Sequence, residues 1–233
     1  MFKRLLPAFL MLIMLTITGS NLSAQIVKGE AIVGMNLTQV DGDEVFGFKK
    51  VGANAGGGVL VPFGKRGRWD ASFELLYSQK GSWQKAQYND SLNNGTIITG
   101  EYKLNLQYLE VPLMVMFTDK ELISFGAGMS WGRLVGVKEW EHGRLVDSTT
   151  INSGTYKKND FSVLADFRIR IYKSLKFNLR YQYSLVKIRT REFEDLAGNT
   201  WTRNQYNNVI TFRLIWVFNE ERSRRNFQNT ATK

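Results

Sequence analysis

The sequence predicts an all-β protein, an eight-stranded antiparallel transmembrane β-barrel of the outer-membrane type. Three observations carry that expectation. Apolar and polar residues alternate with a period of two, the alternating segments are even in number with short and long connections in turn, and a secretion signal precedes them all.

The 233-residue chain begins with Lys3 and Arg4, runs through the apolar stretch LLPAFLMLIMLTIT and leaves it by the small-residue stretch GSNLSAQ. These are the parts of a secretory signal peptide, with cleavage expected after Ala24. Residues 1–24 are therefore read as signal, 25–218 as barrel and 219–233 as a C-terminal tail. Cysteine is absent, which excludes disulfides, thiol catalysis and thiolate metal sites. Downstream of Gln25 no apolar run approaches the ~18 residues of a helical span, so any crossing must be made by strands. Removing Lys3 and Arg4 takes the formal charge from +10 to +8. An exported protein rarely meets nucleic acid, so anionic lipid or solvated loops are the expected counterpart of that charge.

Eight segments alternate, at roughly 29–38, 49–62, 69–80, 101–117, 122–138, 159–171, 175–189 and 206–218. In KFNLRYQYSL, Phe177, Leu179, Tyr181, Tyr183 and Leu185 oppose Asn178, Arg180, Gln182 and Ser184. In FSVLADFRIRI, Phe161, Val163, Ala165, Phe167, Ile169 and Ile171 oppose Ser162, Asp166, Arg168 and Arg170. No amphipathic helix is evident. The connections PFGKRGR, TDKE and YKSL are short, and those near 39–48, 81–100, 139–158 and 190–205 are longer and polar.

Alternation alone leaves two barrels open: a membrane barrel with its apolar face outward, and a soluble one with that face inward, as in lipocalins. Two features favour the first. The polar face carries Gly52, Gly56 and Gly58 in one strand and Gly126, Gly128 and Gly132 in another, which suits a crowded lumen. Aromatics gather at both ends of the apolar face: Phe63, Trp69, Phe117, Tyr172, Trp216 and Phe218 near the short turns, and Tyr77, Tyr102, Trp131, Phe161 and Tyr206 toward the long loops.

YLEVPLMVMF places Glu110 and Pro112 in an apolar strand. Taking apolar residues as outward, the parity switches at Tyr108–Leu109, which predicts a β-bulge there and turns Glu110 into the lumen. The same parity sends Glu74, Asp166, Arg168, Arg170, Arg180 and Arg213 inward. A lumen of eight strands is narrow enough for side chains to fill, so these seven residues are expected to form a structural charge network, with Glu110 paired to an arginine.

Catalytic and metal motifs are weak. His142, the single histidine, lies near Ser148 in EHGRLVDS without a nucleophile motif, and a solvated loop histidine is the expectation. Asp41, Asp43 and Glu44 in VDGDE lack the later ligands of a calcium loop and read as a turn with solvated acids. No helix follows the glycine runs, so no phosphate loop is expected. No catalytic residue, cofactor or metal is assigned.

VGMNLTQVDGD at 33–43, GGGVLVPFGKRGRWDASFELLYSQKGS at 56–82, LQYLEVPLMVMF at 106–117 and SFGAGMSWG at 124–132 resemble the PorT-like outer-membrane β-barrel family of Gram-negative bacteria. The resemblance implies an eight-stranded barrel in the outer membrane, and a place among accessory or assembly components of which some serve type IX protein secretion. It transfers no catalytic or ligand-binding residue. VITFRLIWVF looks like the terminal strand that barrel-assembly machinery reads, although NEERSRRNFQNTATK follows it, a tail expected in the periplasm. The expected function is a non-enzymatic scaffold or accessory barrel. A small passive pore and a lipid-modifying enzyme are the rivals. The expected partners are outer-membrane lipids and lipopolysaccharide, the assembly machinery, secretion-complex proteins and no nucleic acid. Contacts with a partner are expected at Trp83 and Tyr88 in the longest loop, and at Arg222, Arg224 and Arg225 in the tail.

Overall fold

A computed structural model describes residues 26–64, 67–86, 100–194 and 198–231. The signal segment and Tyr88 lie outside these. The elements are β1 (Lys28–Asp41), β2 (Lys50–Phe63), β3 (Trp69–Gln84), β4 (Tyr102–Asp119), β5 (Ile123–Glu141), β6 (Arg144–Leu145), β7 (Asn159–Tyr172), β8 (Leu175–Ser184), β9 (Arg189–Glu194), β10 (Thr200–Phe218) and one helix, α1 (Glu220–Ala231).

Eight strands close a ring in the order β1, β2, β3, β4, β5, β7, β8, β10, each antiparallel to its neighbours. β10 completes it against β1, from Gly29 opposite Phe218 to Asp41 opposite Tyr206. The short strands β6 and β9 stand outside the ring, on β5 and β10. The segment expected at 175–189 is broken: β8 stops at Ser184, and the next strand, β9, begins only at Arg189. The β4–β5 turn places Lys120 and Glu121 both at positive φ (45° and 58°), the paired left-handed geometry whose twist matches a two-stranded hairpin.

Sidedness follows from the residues. Val33, Met35, Phe73, Leu75, Leu113 and Val115 are exposed, while Asp70, Ser72, Glu74, Ser78 and Lys80 are buried within the ring. Water would reverse that distribution, so the lipocalin-like alternative falls. Trp69 packs between Phe63 and Phe117 at the short-turn end, with ring centroids 6.3 and 5.0 Å away. Trp131 and Phe161 are exposed toward the other end, where Tyr183 stacks on Tyr206.

The strands continue past the apolar band, and there the faces exchange character. On β4, Tyr102, Leu104, Leu106 and Tyr108 are buried, with Lys103 exposed and Asn105 and Gln107 half-buried on the outer face. The inward ones pack with Val40, Val45, Leu134, Tyr156 and Ile188 into a small apolar core inside the extended barrel. This overturns the expected parity switch at Tyr108–Leu109, and Tyr102 leaves the girdle. β4 keeps one parity throughout, so Glu110, Pro112, Met114 and Met116 follow Tyr108 inward. The irregularity lies in the neighbouring strand: opposite Gln107 and Tyr108 the register slips, leaving Val135 of β5 as the extra residue. Pro112 sits where the β3–β4 ladder is interrupted, between the pairs Phe73–Leu113 and Leu76–Glu110. Its missing N–H therefore costs no ladder bond on that side.

The glycines of β2 serve close approach of strands rather than filling. A Cβ on Gly52 would stand 2.2 Å from the Gln79 carbonyl oxygen, and one on Gly56 2.1 Å from that of Leu75. Side chains of β1 reach across this bare strand: Asn36 donates to the Gln79 carbonyl at 2.9 Å and Thr38 to that of Gly81 at 2.7 Å.

Candidate functional site

The lumen is filled in layers. At mid-height Glu74 of β3 meets three arginines from the opposite wall. Arg180 donates to both its carboxylate oxygens at 2.9 Å, Arg213 at 3.0 Å and Arg168 at 3.0 Å. Asp166 takes Arg168 at 3.0 Å, Arg180 at 2.7 Å and Arg213 at 3.1 Å. Glu30 of β1 completes the group, accepting from Arg168 at 2.6 Å. Register brings these together: Asp166 and Arg180 are cross-strand neighbours, and Gly58 opposite Glu74 leaves the space a side chain would take. All six are buried. Three guanidinium groups against three carboxylates make a neutral layer, the condition under which buried ions are tolerated.

One level toward the long loops, Lys80 stands 2.6 Å from Glu110 and 3.3 Å from Asp160, and Gln182 donates to Glu110 at 2.9 Å. Glu110 is thus paired to a lysine, a correction to the expected arginine. Above the apolar core, Glu139 gathers Tyr102 at 2.8 Å, Thr149 at 2.8 Å and Arg189 at 2.7 Å, and Arg189 also donates to the Tyr156 hydroxyl at 2.7 Å. Burial is the main cause that pushes the Tyr156 hydroxyl up to about 12.

Arg170 is not part of the lumen network. It lies at the short-turn rim and binds Glu220 of α1 through two bonds, 2.8 and 2.9 Å. Being last but two on β7, it is carried past the interior. Glu220 also takes Lys176 at 3.0 Å. Burial works against its charge, but the Arg170 hydrogen bonds and the Lys176 charge outweigh it and hold the carboxyl down at about 2. Asn219 donates to the Val27 carbonyl at 2.9 Å, Ser223 to that of Ile26, and Arg224 pairs with Glu121. The helix thereby lies across the barrel mouth, beside an open-sided cavity of ≈ 260 Å³ bordered by Lys28, Asp70, Lys176 and Phe227.

Of the expected contact residues, Arg222 and Arg225 are exposed on α1, and Arg224 is exposed but paired. Trp83 is half-buried, with the Lys85 ammonium 5.7 Å from its ring centroid. The acids of VDGDE diverge: Asp41 accepts from Gln39 at 2.6 Å, Asp43 turns back to the Val45 N–H at 2.8 Å, and Glu44 accepts from Trp201 at 2.9 Å. Burial raises Asp43 to about 6. His142 occupies the turn between β5 and β6 at φ 51°, its N–H donating to the Glu101 carbonyl at 2.8 Å. Among the described residues no group of three or more His, Cys, Asp or Glu side chains could hold a metal ion, and no helix is long and apolar enough to cross a membrane.

Sequence reasoning missed Glu30, Lys80, Asp160, Glu139, Arg189 and Glu220. Lys80 shares strand and parity with Glu74, and Glu30 shares its strand's inward parity with Ile32 and Asn36, so both were within reach of the alternation. Glu139 lies beyond the β5 bulge, where parity no longer carries.

No curated protein matches the sequence. Solved structures similar to this chain include Ail, the attachment invasion locus protein of Yersinia pestis, at 12% identity and TM-score 0.47 over 82% of this chain and 98% of that one. Neisserial surface protein A follows at 10% identity and TM-score 0.42 over 82% and 94%, and OprG of Pseudomonas aeruginosa at 10% and 0.35 over 82% and 94%. A family model described as outer membrane protein beta-barrel domain matches residues 23–189, well over half of the chain. The closed ring of eight strands, its exposed apolar band and that match give one conclusion: the chain belongs to the outer membrane protein beta-barrel domain family.

Proposed function

We propose that the protein is a non-enzymatic, non-conducting barrel serving as an accessory or scaffold component of an envelope complex, with type IX protein secretion the process to which the PorT-like resemblance points. The single observation that carries this reading is the filled lumen. From the short-turn end, α1, a neutral six-residue charge layer, a Lys80 layer and an apolar core succeed one another along the axis. A passive pore would need that path open. With the signal removed after Ala24, both termini and the short turns would lie in the periplasm and the long loops outside, among lipopolysaccharide. Specific recognition is then left to the loops, including Trp83 and Tyr88, and to the periplasmic face. There Arg222 and Arg225 present unspent charge on a helix fixed by Glu220, Ser223 and Arg224.

The test is Arg222→Glu with Arg225→Glu, which leaves the helix contacts intact, alongside a neutral graft of 81–100. Each variant should reach the outer membrane at normal abundance, heat-modifiable on gels, and secretion should fall. Undisturbed secretion in both would remove the scaffold reading. In planar bilayers the parent barrel should give negligible conductance, and steady ohmic openings would favour the pore.

A further inference from the structure

The buried charges of the lumen balance at every level but one. Glu30, Glu74 and Asp166 are matched by Arg168, Arg180 and Arg213, and Glu139 by Arg189. At the Lys80 level, two carboxylates, Glu110 and Asp160, face one ammonium among the described residues. An uncompensated charge away from water is among the costliest things a fold can hold.

The unmatched group is Asp160. Its Oδ2 accepts from Lys80 at 3.3 Å and from the Asn207 amide at 2.9 Å, while its Oδ1 has no hydrogen-bond partner. Asn207 spends its NH₂ on Asp160 and, at 3.4 Å, on the Tyr108 hydroxyl, so its Oδ1 is left without a donor. The Ser184 hydroxyl and both polar atoms of the Gln205 side chain are also unpartnered. The four side chains are 0–1% exposed. They occupy inward positions of adjoining strands: Ser162 of β7 pairs with Ser184 of β8, Tyr183 of β8 with Asn208 of β10, and Gln205 lies two residues before Asn207 on that strand. Adjoining inward positions therefore carry unpartnered oxygens, with the Gln205 amide nitrogen among them, at the level where one negative charge is in excess.

We propose that this chamber binds a monovalent cation of sodium or potassium size, held by Asp160 Oδ1 with Asn207 Oδ1, Gln205 Oε1 and Ser184 Oγ. The donors are hard oxygens, which suit a hard cation. A single surplus charge matches a monovalent ion, whereas calcium and magnesium sites draw on several carboxylates or retained waters. The ion would neutralise the layer and satisfy acceptors that no described side chain reaches.

The full mature chain is unfolded in urea and refolded into detergent micelles in sodium, potassium or choline chloride at equal ionic strength, so that the ion can enter during folding. Thermal unfolding is then recorded. Sodium or potassium should raise the midpoint saturably over choline, by about 5–10 °C at a hundredfold excess over Kd. Asp160→Asn should fold, lose the cation dependence and be at least as stable as the parent in choline. Asn207→Leu, which removes an oxygen without altering charge, should weaken the dependence at least tenfold. Crystals grown in rubidium should show anomalous scattering beside Asp160. Equal midpoints in the three salts, with stabilisation only on acidification, would overturn the proposal in favour of a proton. An undiminished cation shift in Asp160→Asn would overturn the site.

Discussion

Arg180 donates to Glu74 through both terminal guanidinium nitrogens, at 2.9 Å each, across the full width of the lumen. Their strands, β8 and β3, lie halfway round the ring from each other. The bond is thus a strut between walls rather than a link between neighbours. Bidentate guanidinium–carboxylate pairs are the strongest of their kind. Glu74→Ala should leave three guanidinium groups facing two carboxylates and cost about 3–5 kcal/mol, read as a fall in the urea midpoint. Glu74→Leu combined with Arg180→Met should recover part of that loss, since it removes one charge of each sign.

Glu110 should matter less. Lys80 keeps Asp160 when Glu110 is changed to Gln, so the loss should be about 1–3 kcal/mol, clearly below that of Glu74→Ala on the same urea curve.

The exchange of faces along β4 gives opposite outcomes a few residues apart. Leu113→Lys puts a charge on the exposed apolar band and should cost about 2–4 kcal/mol of folding in bilayers. Leu106→Ala opens a hole in the apolar core of the extension and should cost about 2–5 kcal/mol. Lys103→Leu, outward and beyond the band, should be close to neutral. Folding titrations in vesicles compare all three.

Two groups outside the band predict opposite pH responses. Glu220 is held down at about 2 from an ordinary 4.5, so its contribution to docking α1 is complete above 4.5 and is lost as pH falls toward 2. Protection of α1 amides, measured against their intrinsic exchange rates, should fall over that window. Asp43 is raised from 3.8 to about 6, so its neutral form suits the folded loop. That contribution is complete below 3.8 and is lost as pH rises through 6. Protection at 42–46, measured against intrinsic exchange rates, should rise on acidification from pH 7 to 5. Asp43→Asn should show the higher protection at both values.

The ring was legible because period-two alternation and turn chemistry are local. TDKE is legible as a short polar break between two alternating runs, although neither Lys120 nor Glu121 is a residue that favours the positive φ it adopts. The error on β4 came from equating apolar with lipid-facing. That holds only within the band, and Leu104 and Leu106 are apolar because they meet Val40 and Ile188 instead. The partners of the lumen charges were illegible for a different reason. Parity says that Arg168 points inward, but only the register around the whole ring sets Glu30 beside it rather than Glu110. α1 escaped notice because apart from Phe227 and Ala231 its residues are polar, and its hold on the barrel comes through Glu220, Ser223 and Arg224.

α1 also alters what kind of object the ring is. The β1–β10 seam joins the first strand to the last. Asn219 and Ser223 bind the backbone of Val27 and Ile26, the residues that enter β1, so the helix that follows the last strand clasps the entry to the first, just below the seam. A load applied to either terminus is shared between helix and ladder, and the seam cannot peel one pair at a time from that end. Hydrogen bonds made only once the ring has closed slow its opening by about as much as they stabilise it, so the clasp should add to the barrel's lifetime as well as to its stability.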